Sequence, residues 1–454
     1  MLKMKSYIYI SILIILSISM CVCAVYEGGT RNGVQLYQLP LLCLVCFLLF
    51  RNIRKTLSSL SILTMSVVCV IRYGIYPLTV SIEGSMGASY VDYSQEAFYL
   101  MLYEMIVVLY FVNIYSKRIL KTPNIGTLII ADYKLTTINR LFLLLTIPLV
   151  IIFPSLLGMF RFLGIAESSV PISGVFAITF KIGLYIGYLY ILSKCGRNGK
   201  GGSLHLIAAL AITILFIFMI AFGETNVSRW SFLWIGIPSL IIISNTFPRY
   251  KKTITLFACI AIPIAIIIGS FVKFAVSDYS VISFLSNFVT SNALSEYFGG
   301  LNGLTYSIQT VALEAKASTL YSTLTDLFCG TPLLSSFFDF DNYSTQSIYL
   351  DYLGRSDLIC PLLGQSYAHF GFWGAPIYSI FMAMFAIEFD CISRKAKDVY
   401  VKYVSSSLCM SFSLFMCLNT IIILTNAWAL IIFLIIQMYN NKNKVYVVDN
   451  SSSL

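Results

Sequence analysis

Charge is scarce in this chain of 454 residues: 11% of its side chains are Asp, Glu, Lys or Arg, and histidine occurs only at positions 205 and 369. So little charge cannot cover the surface of a soluble protein of this length, and with 58% hydrophobic residues the chain belongs among polytopic membrane proteins. Nucleotide-binding signatures are missing as well. There is no GxxxxGK[ST], no GxGxxG following a strand and no HExxH, which argues against work driven by nucleotide hydrolysis and against zinc peptidase chemistry. The twelve cysteines include one CxxC, Cys43 and Cys46 inside the second apolar run, and no other metal-ligand spacing, so they read as small apolar residues of the spans. Of these, Cys329 and Cys360 fall in the one large loop, where outside the cytoplasm they are candidates for a disulfide. No internal repeat supports the inverted-repeat plan of many secondary transporters.

What the chain has in abundance is apolar runs near the ~20 residues needed to cross a bilayer. They lie at 6–26, 35–50, 58–77, 97–116, 141–160, 172–193, 204–222, 230–246, 254–272, 371–390, 404–420 and 423–439. The expected fold is therefore an all-α polytopic transmembrane bundle of about twelve spans. The first run follows Lys3 and Lys5 and lacks a clear cleavage site, so it reads as a retained span and not as a signal peptide. The last two are nearly continuous, and the turn between them is expected near Asn419-Thr420.

With both termini in the cytoplasm, 22 of the 30 basic residues fall on cytoplasmic segments, and 15 of the 20 acids fall on the outer side or within the membrane toward it. The net charge of +10 is thus chiefly a topology signal. Spread over short loops, the basic residues form no single patch for nucleic acid. The chain divides into spans one to nine (1–272), a large extracytoplasmic loop (273–370), spans ten to twelve (371–440) and a cytoplasmic tail (441–454).

A loop of nearly 100 residues calls for a function, since structureless loops beyond about 12–15 residues are uncommon. Its stretch 304–328 places Leu304, Ile308, Val311, Ala315 and Leu324 at near-helical spacing, which predicts a helix lying on the membrane or capping a cavity. Further on, Asp339, Asp341, Asp351 and Asp357 stand among Phe and Tyr, as on a carbohydrate-binding face or an ordinary solvated loop.

Charges within or beside spans carry the remaining information. Arg72 and Glu104 come at similar depth on the third and fourth spans, which predicts a buried ion pair. Arg161, Lys181, Arg229, Lys273 and Arg355 also face outward under this topology. Guanidinium groups at headgroup depth suit a phosphate or diphosphate, to which they bond in bidentate fashion, while lipid snorkelling accounts for Lys273 and for Arg161 equally well. His369 sits in "LLGQSYAHFGFWG" (362–374), where a polar stretch meets the tenth apolar run. An imidazole there is either an interfacial anchor or a group able to accept a proton from a hydroxyl. His205, at the cytoplasmic start of a span, reads as interfacial.

These features together resemble the bacterial O-antigen and capsular polysaccharide repeat-unit polymerases of the Wzy type. The resemblance rests on the topology, the late external loop and two short motifs. In the first, Gly364, Gln365, Tyr367, His369, Phe370, Gly371 and Gly374 are similar to a family pattern G-E-x-Y-x-N-F-G-x-x-G. The second is "GETNVSRWSFLWIG" (223–236), with Arg229 at the family's arginine. Gln365 replaces an acid and His369 replaces an amide, so 365 cannot act as a base, and His369 is left as a polar positioning group or the local base.

The resemblance implies a membrane glycosyltransferase acting on undecaprenyl-diphosphate-linked oligosaccharide, with membrane lipid around it and a chain-length regulator and a flippase as partners. It implies Arg229 and Arg355 on the diphosphate, His369 as candidate base and Glu224 in reserve, with Arg161, Arg72, Lys181 and Tyr367 contributing to substrate binding and no metal or cofactor required. A flippase of lipid-linked oligosaccharides and a lipid-sugar ligase stay open as alternatives.

Overall fold

The computed structural model describes residues 2–27, 30–31, 34–53, 56–57, 59–83, 93–124, 135–157, 174–195, 202–221, 229–274, 290–313, 319–328, 331, 334–354 and 358–451. Apart from a two-residue antiparallel pair (β1 Thr30–Arg31, β2 Val34–Gln35), the regular structure is helical. In chain order the helices are α1 Leu2–Glu27, α2 Leu39–Ile53, α3 Leu60–Val70, α4 Tyr76–Glu83, α5 Ser94–Tyr115, α6 Lys117–Lys121, α7 Thr137–Ile152, α8 Gly174–Cys195, α9 Ser203–Ala221, α10 Arg229–Trp234, α11 Gly236–Thr246 and α12 Lys251–Phe274. They continue as α13 Ser291–Phe298, α14 Leu301–Leu313, α15 Leu320–Phe328, α16 Phe340–Tyr343, α17 Thr345–Leu353, α18 Leu362–Gly374, α19 Ile377–Lys395, α20 Val399–Ser413 and α21 Thr420–Ser451.

Six helical stretches among the described residues are long and apolar enough to cross a membrane: Tyr7–Tyr26, Leu60–Ile82, Ser94–Lys121, Gly174–Cys195, Ser203–Ile220 and Thr420–Asn440. A seventh is the pair α18 and α19, if the two helices, bent by 111°, count as one span. This is fewer than the twelve expected, and local chemistry accounts for two of the missing spans. The run 141–160 stops being α-helical at Ile152, because Pro154 disfavours α geometry at Phe153, which sits at φ −125° and ψ 69°. The run 230–246 breaks at Ile235: Pro238 has no N–H to return to the preceding turn, so α10 ends at Trp234 and α11 starts at Gly236. The expected turn near Asn419 is present, with Asn419 Oδ1 accepting from Ile422 N at 3.0 Å to cap α21.

The chain divides into two compact units, 1–122 with 282–390 and 411–426, and 123–281 with 391–410 and 427–454. In the first, α1 turns Leu13 and Met20, seven residues apart, to its neighbours and leaves Ile15, Ile18 and Val22 outward. Such a helix, apolar on its exposed side also, fits a lipid surround. Between α3 and α4 residues Ile71–Ile75 wind as a π-helix, a local widening of the kind that often marks functional sites. In the second unit α7 and α8 cross so closely that a Cβ on Gly183 would fall 1.7 Å from Thr146 Oγ1, the small-residue contact typical of helices in membranes. Tyr188 stacks on Phe216 with centroids 4.1 Å apart and shares a 3.0 Å hydrogen bond with Thr213.

The stretch expected to be one surface helix over 304–328 is two elements instead. Within α14, Leu304 and Ile308 are buried, the helix packing on α5 and α18 and so belonging to the interior of the first unit. The helix α15 is separated from it by residues outside those described.

Candidate functional site

The motif of residues 362–374 forms α18, started by Pro361 and seated deep in the first unit. Gly364 allows the seating: a Cβ there would lie 2.4 Å from Cβ and Oγ of Ser307 on α14. The helix is interrupted at Gly371, whose φ of 68° and ψ of −172° define a conformation essentially closed to other residues. Beyond it Phe372 stacks on Tyr103 (5.7 Å), whose hydroxyl donates to the Trp373 carbonyl at 3.1 Å. The Trp373 side chain stands 81% exposed at the bend.

Behind this break lies a buried polar cluster. The ring of His369 and the carboxylate of Asp326 are fully out of solvent, with Nε2 3.2 Å from Asp326 Oδ2. His369 Nε2 is also 3.0 Å from Thr345 Oγ1, and Nδ1 is 2.8 Å from the Tyr378 hydroxyl. The carboxylate of Asp326 accepts from the Thr345 backbone N–H at 3.0 Å and from Gln365 Nε2 at 2.6 Å. Such direct N–H donors, one of them at the N-terminus of α17, make a buried carboxylate tolerable. With Nε2–H shared between the Asp326 carboxylate and Thr345 Oγ1, Nδ1 is left to accept from Tyr378 O–H.

Gln365 explains itself in the same network. Its Nε2 donates to Asp326 while its Oε1 accepts from Thr420 N at 3.0 Å, so the position needs a donor and an acceptor at once. A glutamate there would set a second anion against Asp326. Around this centre Gln346 accepts from Cys360 N (2.9 Å) and Asn419 Nδ2 (2.7 Å) and donates to the Leu358 carbonyl (2.8 Å). Cys360 is a free thiol, buried at 3.6 Å from Ser307 Oγ; removal from water pushes it up to about 12. Cys329 lies outside the described residues.

The expected Arg72–Glu104 pair is present. Arg72 Nη1 lies 3.0 Å from Glu104 Oε2, both side chains essentially without exposure. Tyr73 donates to the same oxygen at 2.9 Å, and Ser379 Oγ donates to Oε1 at 2.6 Å. Among the described residues, Arg72 Nε and Nη2 have no hydrogen-bond partner. Tyr367 donates to Glu96 Oε1 at 2.9 Å, and Glu96 is in the first turn of α5, where an anion suits the helix dipole.

The other predicted residues fall elsewhere or outside the described set. Lys181 is half-buried about two turns into α8 of the second unit. Arg229 opens α10 in that unit, its side chain outside the described residues, as are Arg161, Glu224 and Arg355 altogether. His205 is exposed on α9. Of the acidic loop residues, Asp339 caps α16 through Asn342 N (3.2 Å), and Asp357 is outside the described residues. The neighbouring aromatics pack on one another, Tyr321 against Tyr343 at 4.9 Å and Phe328 against Phe338 at 5.7 Å.

Thus the structure brings His369 together with four residues not singled out from the sequence: Asp326, Thr345, Tyr378 and, further out, Gln346. A signal was available for Asp326, an acid lodged in the otherwise neutral helix "LYSTLTDLF". Comparison with protein-family models, with curated proteins and with solved structures finds no match to this chain.

Proposed function

We propose that this chain is a membrane glycosyltransferase that joins undecaprenyl-diphosphate-linked oligosaccharide repeat units into a surface polysaccharide at the outer face of the bacterial cytoplasmic membrane. In this reading the broken helices α10/α11 and α18/α19 and the helices α2, α7, α12 and α20 count as spans beside the six long ones, for a topology of about twelve crossings with both termini inside and residues 273–370 outside. In the reaction a hydroxyl at the non-reducing end of one lipid-linked unit attacks the anomeric carbon of the lipid-linked chain. The bond to the diphosphate breaks with its electron pair, and the hydroxyl proton passes to a base. No nucleotide is consumed, since the diphosphate is itself the leaving group.

The observation that carries the reading is the 111° break between α18 and α19, with a buried polar cluster on one side and exposed Phe370 and Trp373 on the other. The break falls where the external segment meets the tenth span, and ionisable groups buried together at such a border are candidates for substrate handling. The diphosphate is assigned to Arg229 and Arg355, with Arg161 and Lys181 supporting and Glu224 and Tyr367 toward the glycan. Arg72 is engaged by Glu104 and holds α5 to the π-turn instead.

The test is a deletion strain complemented with wild type, Arg229→Ala or Arg355→Ala, its surface glycan resolved on gels. The expected result is long polymer with wild type and single repeat units with either variant. Long polymer from both variants removes the site assignment, and repeat units trapped on the cytoplasmic face of the deletion strain identify a flippase instead.

A further inference from the structure

Resting on that reading, we propose that Asp326, His369 and Tyr378 form a proton relay in which Asp326 is the positioning residue, fixing the tautomer of His369 so that its basic nitrogen faces the Tyr378 hydroxyl. His369 alone cannot meet an acceptor sugar, because its ring is enclosed and both nitrogens are occupied. Its connection toward the surface runs through Tyr378, 2.8 Å from Nδ1 and itself only 5% exposed, whose ring packs at 5.3 Å against Phe370, 41% exposed, so that Phe370 is the cover an acceptor must displace. Asp326 approaches the opposite nitrogen, Nε2. A carboxylate there accepts Nε2–H and leaves the lone pair on Nδ1.

The acceptor oxygen forms the new bond to the anomeric carbon while the bond to the diphosphate breaks with its pair to the phosphate oxygen. The acceptor proton moves to the Tyr378 oxygen as the phenolic proton moves to Nδ1. The resulting imidazolium is held against Asp326, and the proton returns by the same path to the diphosphate. Tyr378 is the member that touches the acceptor, and the Gln365 amide holds the Asp326 carboxylate in line at 2.6 Å.

The contact with Gln365 supplies a test that separates this role from a merely structural one. In the double variant Asp326→Asn/Gln365→Glu the carboxylate moves across one hydrogen bond. Net charge is kept. The amide now at position 326 donates to the carboxylate now at 365, which still accepts from Thr420 N, while the amide oxygen at 326 still accepts from Thr345 N. What changes is the group facing His369 Nε2, now an amide N–H, which forces the other tautomer. Full-length protein in lipid nanodiscs is given lipid-diphosphate-linked repeat units, and the ¹⁵N spectrum of His369 is recorded in a His205→Gln background, where it is the sole imidazole.

The double variant is expected to keep its melting temperature, to show the proton on Nδ1 in place of Nε2, and to lose about 10²-fold or more in kcat with KM little changed. Tyr378→Phe is expected to lose kcat likewise. Wild-type turnover in either variant overturns the relay. A wild-type spectrum with the proton on Nδ1 overturns the role of Asp326 without reference to folding of any variant. Absence of polymer from the wild-type protein itself counts against the polymerase reading, while the spectrum still decides the tautomer.

Discussion

Replacing Glu104 by Gln tests whether the Arg72 pair sustains the first unit. The guanidinium and carboxylate are 3.0 Å apart with 1% and 0% exposure, so neither charge has water to fall back on. Removing one partner of a buried pair costs about 3–5 kcal/mol, because the surviving charge stays uncompensated. Among the described residues, Arg72 Nε and Nη2 have no hydrogen-bond partner that could share the stranded charge. At 1.36 kcal/mol per decade this is roughly a 10²- to 10⁴-fold loss in the folded-to-unfolded ratio. Glu104→Gln is therefore expected to melt well below wild type in detergent, read by the fraction remaining monodisperse after heating. Adding Arg72→Met removes the stranded charge and should recover part of the loss. A single variant as stable as wild type, or a double variant less stable than the sum of its singles, refutes the account of Arg72 as a paired structural charge.

Two further outcomes follow from the break and the thiol. Gly371→Ala meets no atom within 4 Å, so its whole penalty is conformational, about 1–3 kcal/mol for a residue forced into that region. It should cut polymer formation with only a modest loss in melting temperature, whereas unchanged polymer would mean that the bend is dispensable. Cys360 has its thiol pushed up to about 12 by burial, so it stays protonated at neutral pH and loses its proton only as pH rises toward that value. A variant with Cys360 as its only cysteine should resist maleimide at pH 8 until denatured by detergent, and rapid native labelling would show the region to be open.

Much of the fold was legible because membrane crossing is written in long apolar runs. The predicted 6–26, 97–116, 172–193 and 204–222 coincide within a few residues with α1, α5, α8 and α9. Where the reading departs from the structure, single residues decide. Pro154 and Pro238 each end a helix that hydropathy carries through, and the expected span at 371–390 is helical as α19 only from Ile377, bent by 111° from α18, which Gly371 interrupts. The Arg72–Glu104 pair was readable because equal depth on neighbouring spans is a one-dimensional property. The His369 cluster was not, since Asp326 lies 43 positions earlier on a separate helix, and only folding brings its carboxylate to the imidazole. The same contact gives a physical reason for Gln365 where the polymerase pattern it resembles carries an acid: here the negative charge comes from Asp326.

The most direct measurement of the central claim uses purified protein in nanodiscs, undecaprenyl-diphosphate-linked repeat units as both donor and acceptor, and no nucleotide. A ladder of products growing by whole repeat units, with one undecaprenyl diphosphate released per linkage, is the predicted result. Substrate left at single-unit length by folded wild-type protein, or moved across the bilayer without being joined, would contradict it.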